Sequence, residues 1–215
     1  GSEDSTIEIL EKYKKDHPDK FNIYFGGNIG SSASFYWLLQ NTEADFYFFC
    51  DQDDIWLSNK LASHRSLYED DATIQMVFSD MTILDQGNTS LLGLQKMKAS
   101  FLIMNSIRMI CQNCVAGCAM SINRAARDNI LKYGEIPVGL VHDHWFSVIT
   151  SIDGKVTFHP SPLVKYRLHE RNQVGAQTFN LSYFLKKLAS IPNTLLHDLI
   201  LIRNLPQIKR PNALK

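Results

Sequence analysis

The stretch FYFFCDQDDIWL, residues 46–57, constrains this chain more than any other. Residues 46–50 suit a buried strand, and three carboxylates, Asp51, Asp53 and Asp54, follow within four positions. Charged carboxylates do not persist in an apolar interior without compensation. The strand must therefore end at a rim of its sheet, where a helix start, solvent or a cation meets the carboxylates.

Strand and helix patterns alternate around that stretch. A capping box from Ser5 to Glu8 predicts a helix that carries Ile7, Leu10 and Tyr13 and stops before Pro18. FNIYF (residues 21–25) reads as a short strand, GGNIGSS as a glycine-rich turn and SASFYWLLQNT as a helix. Beyond the carboxylates the pattern predicts a helix capped by Ser58, then strands at 74–80 and 81–85, the second closed by the turn QGN. Residues 91–110 fit helix or loop equally well. CAMSIN reads as a strand leading into a helix that ends at Gly134, and another helix starts near HDHWFSVITSI. GKVTFHP and LVKYRL resemble two strands joined by a Pro-containing turn. Such alternation predicts an α/β protein with a mostly parallel sheet covered by helices, and ligands beyond the carboxyl ends of the strands. The tail, residues 176–215, predicts two amphipathic helices broken by Pro192 and ended by Pro206.

Composition narrows the function classes. A chain of 215 residues that is 45% hydrophobic can bury one substantial core. Lys plus Arg and Asp plus Glu are both 22, so no global basic field gathers nucleic acid. No apolar run is long enough to cross a bilayer, and GSEDSTIEIL has neither the basic nor the apolar part of a signal peptide; the expectation is a cytosolic protein. Four cysteines are too few for a disulfide scaffold, and Cys50 ends an apolar strand, which suits a reducing compartment. Cys111, Cys114 and Cys118 have a metal-like spacing, but without a nearby fourth Cys or His they read better as small buried hydrophobes.

Three readings compete for the aspartates. They cap the next helix or are solvated; or they bind a hard divalent ion, which for Mg²⁺ means one or two carboxylates plus substrate phosphates. In the third, the first aspartate is the nucleophile of a phosphatase that forms an aspartyl-phosphate. Spacing alone does not choose among them.

The surrounding text does. ADFYFFCDQDDIWLSNKL resembles the signature of family 2 glycosyltransferases of GT-A fold, especially the bacterial rhamnosyltransferase-like branch. Further motifs follow in order: GSEDST is similar to the end of D-D-G-S-x-D-x-T, NIGSSASF to the N-x-G turn and VFSDMTILD to the strand pair after the metal site. NCVAGCAMSINR resembles the N-x-x-x-G-C segment, HDHWF the H-D-W-W motif and YRLHERNQVG the Y-R-x-H-x-x-N-x-V-G motif. The resemblance covers residues 1–175, which it identifies as a GT-A catalytic domain, with 176–215 a helical extension.

The resemblance implies an inverting, metal-dependent transfer of a sugar from a nucleotide-sugar donor to a glycan or polyprenyl-linked acceptor, in bacterial surface polysaccharide synthesis. It favours dTDP-rhamnose as donor, with UDP-sugars next. Asp51 and Asp53 match the D-x-D that holds Mn²⁺ or Mg²⁺ against the diphosphate, with Asp54 supporting the loop. Asp143 matches the general base, although a plain helix cap fits its spacing as well. His169 falls where such enzymes bring a histidine back onto the metal, and Arg167 could pair with phosphate oxygens. Gly117 would let backbone approach the donor sugar, and Asn28 and Gly30 would shape the nucleotide rim. Asp80 is a weaker candidate for the same cleft, and His142 and His144 read as structural.

Two features depart from the pattern or leave it open. The family opens with a strand, a helix and a second strand ending in D-D, and this sequence starts after those aspartates. The expectation is weak or no activity for residues 1–215 alone. In the tail, Lys186, Lys187, Lys209 and Arg210 fit either peripheral contact with an anionic membrane or packing on the catalytic domain. The competing functions are a noncatalytic glycan-binding scaffold of the same fold and, third, the phosphatase.

Overall fold

A computed structural model describes residues 2–85, 88–91, 109–110, 113–167 and 203. The expectations for His169, Cys111, most of residues 91–110 and nearly all of the tail lie outside the described residues.

The chain is a mixed α/β fold. Helix α1 (Thr6–Asp16) leads through an irregular segment to α2 (Ser31–Asn41). Strand β1 (Phe46–Phe48), the acidic turn and β2 (Ile55–Trp56) follow, then α3 (Lys60–Asp70). The long strand β3 (Ile74–Asp85) folds back on β4 (Asn88–Leu91). A 3₁₀ turn (Gly117–Ala119) runs into β5 (Met120–Asn123), α4 (Arg124–Tyr133), α5 (His142–Asp153) and β6 (Lys155–Arg167).

Strand direction corrects the expectation of a mostly parallel sheet. The order is β1-β5-β3-β6-β2, with β4 on β3, and of these pairings only β3 with β6 is parallel. Because β5 is antiparallel to both β1 and β3, strands β1, β3 and β6 still point the same way. Their carboxyl ends define one rim. β5 descends from the 3₁₀ turn at that rim, so it must run the opposite way; hydrophobic patterning marks a strand but carries no direction.

The strand pairs predicted at 74–85 and 155–167 are each one continuous strand. Their register jumps from Ser79↔His159 to Asp80↔Pro162 and again to Met81↔Val164. Bulges of this kind bend both strands without ending them, which is how the Pro-containing segment stays in the sheet at a kink instead of a turn.

Alternation along β3 loads the two faces differently. Met76 and Phe78 join Met120, Ile122, Trp145, Phe146, Val148 and Ile149 in the main core beneath α4 and α5. Val77 packs on the opposite face with Tyr68 and Ile74. The face of α3 that meets the sheet is polar. Lys60, His64 and Tyr68, spaced by four, are its buried residues; His64 Nδ1 pairs with Ser121 Oγ at 2.8 Å, and the Tyr68 hydroxyl donates to Ser121 O at 2.9 Å.

Local details differ from the sequence reading where side chains had alternatives. The Ser5 side chain makes no capping bond; Asp4 Oδ1 accepts from Thr6 N at 3.1 Å in its place. Asn59, not Ser58, precedes α3. Residues 21–25 form no ladder among the described strands. Cys50 is exposed, since regular pairing stops at Phe48 and the chain turns outward two residues later. The end of α4 at Gly134 matches the prediction, with φ of 89°. No helix among the described residues is long and apolar enough to cross a membrane.

Candidate active site

The rim where β1, β3 and β6 end carries the acidic turn. Asp51 is half-buried there, and its pKa is raised to about 6, first by burial and then by Asp54, Asp53 and Asp143. Asp143 comes from a distant segment of the chain, so tertiary folding has brought the two candidate carboxylates into one electrostatic field. Asp54 is also raised, by burial. Its Oδ1 accepts from Arg167 N at 3.0 Å, while its buried Oδ2 lacks a strong donor, the Cys118 thiol beside the carboxylate being a weak one. Arg167 Nε donates to the main-chain oxygen of Asp53 at 3.0 Å, so the end of β6 clasps the acidic turn through its backbone.

Ligand atoms of Asp51, Asp54 and Cys118 lie within 4.8 Å of one another. Like charges this close, with one carboxylate oxygen buried beside only a weak thiol donor, are what a divalent cation satisfies, and the oxygen donors suit Mn²⁺ or Mg²⁺. Asp53 contributes to the field on Asp51 but not to this group of atoms. The Cys118 thiol is the weak member. Burial and then Asp54 push its pKa up, and it donates to Met81 Sδ at 3.6 Å, among Ala119 and Val164. It packs as the small hydrophobe expected from the sequence.

Asp143 is not the helix cap; Val141 is. In the first turn of α5 its Oδ1 accepts from His144 N at 2.6 Å and Asn113 Nδ2 at 3.0 Å, and its Oδ2 from Gly117 N at 3.2 Å. Burial nevertheless raises its pKa against those hydrogen bonds. The result is a fixed carboxylate of increased basicity, as a general base requires.

Gly117 is also required to be small by the protein's own packing. A Cβ built there would stand 2.6 Å from His142 Nε2, so the missing side chain makes room for an imidazole of the protein itself. His142 stacks on Phe35 with ring centroids 4.5 Å apart, and its backbone N donates to Ser32 Oγ at 3.1 Å. Burial lowers its pKa to about 4, so it is neutral. His144 Nε2 pairs with Met109 O at 2.7 Å in the interior.

Asn28 and Gly30 lie on the exposed loop before α2, where Gly30 has φ of 83°. Through α2 this loop is joined to the site, since Ser32 in its first turn holds His142. Asp80 is fully buried at the register jump, with Oδ1 accepting from Met81 N at 2.8 Å.

Lys60 is the residue that sequence reasoning missed. It is fully buried, its Nζ donates to Cys118 O at 2.6 Å and stands 4.5 Å from the Trp56 ring centroid. Burial lowers its pKa to about 8, opposed by Cys118, Cys50 and Asp54. A lysine inside the recognised signature was the available signal, but a lysine at the start of a helix is ordinarily solvated. Asn113, which opens the N-x-x-x-G-C segment, likewise gains its role only from the fold, by donating to Asp143.

A helix-flanked mixed sheet with a carboxylate cluster at its rim is the GT-A class of fold. The chain matches Glycosyl transferase family 2 over residues 1–130 and belongs to that family. Among solved structures it is similar to S. aureus TarS residues 1–349 in complex with UDP-GlcNAc, with 16% identity and a TM-score of 0.59, over 95% of this chain and 60% of that one. At that identity the likeness is one of fold. No curated protein matches the chain.

Proposed function

We propose that this chain carries the catalytic centre of an inverting glycosyltransferase that takes its sugar from a nucleotide-sugar donor. The observation that carries the reading is the joining of two carboxylate sites by one turn. Asp143 Oδ2 holds the amide of Gly117, and the next residue, Cys118, lies against Asp51 and Asp54. A base and a cation site held together in this way suit attack at an anomeric carbon beside a diphosphate leaving group.

Asp143 takes the proton of the acceptor hydroxyl as that oxygen forms its bond to the anomeric carbon. The bond from that carbon to the diphosphate oxygen breaks on the opposite face, which inverts the centre without a covalent enzyme intermediate. A divalent cation held by Asp51 and Asp54, with Asp53 and His169 the further ligands implied by resemblance, would offset charge on the departing diphosphate. Arg167 lies at the same rim for the phosphate oxygens, and Asn28 and Gly30 lie before α2 for the nucleotide.

The TarS structure contains UDP-GlcNAc, which supports a nucleotide-sugar donor. The rhamnosyltransferase resemblance favours dTDP-rhamnose, and a glycan or polyprenyl-linked acceptor. Tail residues Lys186, Lys187, Lys209 and Arg210 suit an anionic membrane surface, which liposome flotation at low salt tests. The central experiment is donor hydrolysis and transfer by the intact protein over a panel of dTDP- and UDP-sugars with Mn²⁺ or Mg²⁺. Turnover that Asp51→Asn and Asp143→Asn each abolish supports the reading. No turnover and no nucleotide binding across the panel refutes it.

A further inference from the structure

The Gly117–Ala119 turn is held from three sides by residues far apart in sequence. Asp143 takes the Gly117 amide, the acidic turn meets the Cys118 side chain, and Lys60 takes the Cys118 carbonyl. Lys60 is the one cation among them, and it has no exposed surface. An ammonium has three protons to donate and is expensive to bury, so its presence calls for a reason. Packing does not supply one, because an apolar side chain of similar length would fill the space beside Trp56 without that cost.

We propose that Lys60 is a positioning residue: an internal counter-charge beneath the acidic turn that pins the Cys118 carbonyl and so fixes the Gly117 amide on Asp143 relative to Asp51 and Asp54. The inference rests on the reading of the site given above. Its charge acts on Asp54, one of the carboxylates that a divalent ion would engage, from the protein side of the turn. Lys60 therefore weakens cation binding by competing electrostatically while it keeps the base in register. These two effects have opposite signs on removal. A residue that only filled space would leave both binding and turnover close to the wild type when replaced by a methionine of similar length.

The test uses Lys60→Met and Lys60→Arg in the intact protein, with Mn²⁺ alone as the probe. Affinity is followed by electron paramagnetic resonance of the free ion, beside thermal melting and turnover of a nucleotide-sugar donor. Loss of a unit charge that acts on Asp54 predicts about tenfold tighter Mn²⁺ binding in Lys60→Met. In the same variant kcat falls about tenfold or more with a lesser change in KM, and the melting temperature falls modestly because the buried Cys118 carbonyl loses its donor. Lys60→Arg, which keeps the charge, binds Mn²⁺ as the wild type does. Unchanged or weaker Mn²⁺ binding in Lys60→Met overturns the proposal and leaves Lys60 a packing residue, whatever happens to stability. Asp51→Asn separates the two levels. If it leaves Mn²⁺ binding intact, the site reading fails and this inference with it; if it abolishes binding while Lys60→Met alters nothing, only the role of Lys60 is lost.

Discussion

The amide of Gly117 and the carboxylate of Asp143 are 3.2 Å apart, and on the other side of the same glycine the imidazole of His142 fills the space where a side chain would be. Two consecutive residues at the start of α5 thus grip one glycine, by a hydrogen bond and by van der Waals contact. The turn that carries it is set by α5 before any substrate arrives.

Replacing Asp143 by Asn keeps the size of the side chain and removes the proton acceptor. Turnover should fall by about 10² to 10⁴-fold, and the melting temperature should fall modestly, because the amide nitrogen takes the place of one of two oxygens that accept from N–H groups. Steady-state kinetics on the best donor decides this.

Asn113 supports the ionised form of Asp143 with a bond of 3.0 Å. Asn113→Ala removes a contact that lowers the Asp143 pKa, so that pKa rises further and the base is active only at higher pH. The acidic limb of the kcat/KM profile should move up the pH scale. A profile that does not move, or moves down, contradicts the assignment of Asp143.

Gly117→Ala drives a methyl group to 2.6 Å from His142 Nε2. Overpacking of that kind costs about 1–3 kcal/mol in denaturant unfolding. His142→Ala opens the same space, so the double variant should be less destabilised than the sum of the two single ones. Simple additivity would mean that the clash is relieved elsewhere.

Asp51 gives a pH dependence whose sign can be worked out. Its folded pKa of about 6 lies above the ordinary 3.8, so its ionisation opposes folding as pH rises through that window. In chelator above pH 6, Asp51→Asn should therefore melt higher than the wild type. With Mn²⁺ the order should reverse, and Mn²⁺ affinity of the wild type should drop as pH falls through about 6.

Two buried histidines act the other way. His64 and His142 have pKa values lowered to about 3 and about 4, both chiefly by burial. Neutral burial stabilises the fold above the unfolded value near 6.5, and that contribution is lost as pH falls toward the folded values. Replacing His64 by Asn should flatten the acid side of the melting-temperature profile.

Several elements were legible because their cause is local. The helix ending at Gly134 needed only a residue that tolerates positive φ, and α5 needed only the contiguous stretch HDHWFSVITSI. The predicted capping box failed although its residues are all present. Asp4 is as good an acceptor as Ser5, and only the path of the chain into α1 chose between them. Strand direction was beyond reach for a related reason. The pattern of β5 is the same read either way, and its place between β1 and β3 depends on contacts with both.

The sequence by itself determined that carboxylates would cluster at the end of an apolar strand, because three acids cannot follow such a strand into the interior; the family motifs were also readable, being written in contiguous letters. Only the tertiary structure decided which groups share the cleft. Asp54 and Cys118 beside Asp51, Asp143 on the Gly117 amide, and Lys60 buried beneath the turn are pairings between distant segments. Their worth depends on separation and on exclusion of water, which exist only once the sheet and its helices have closed around them.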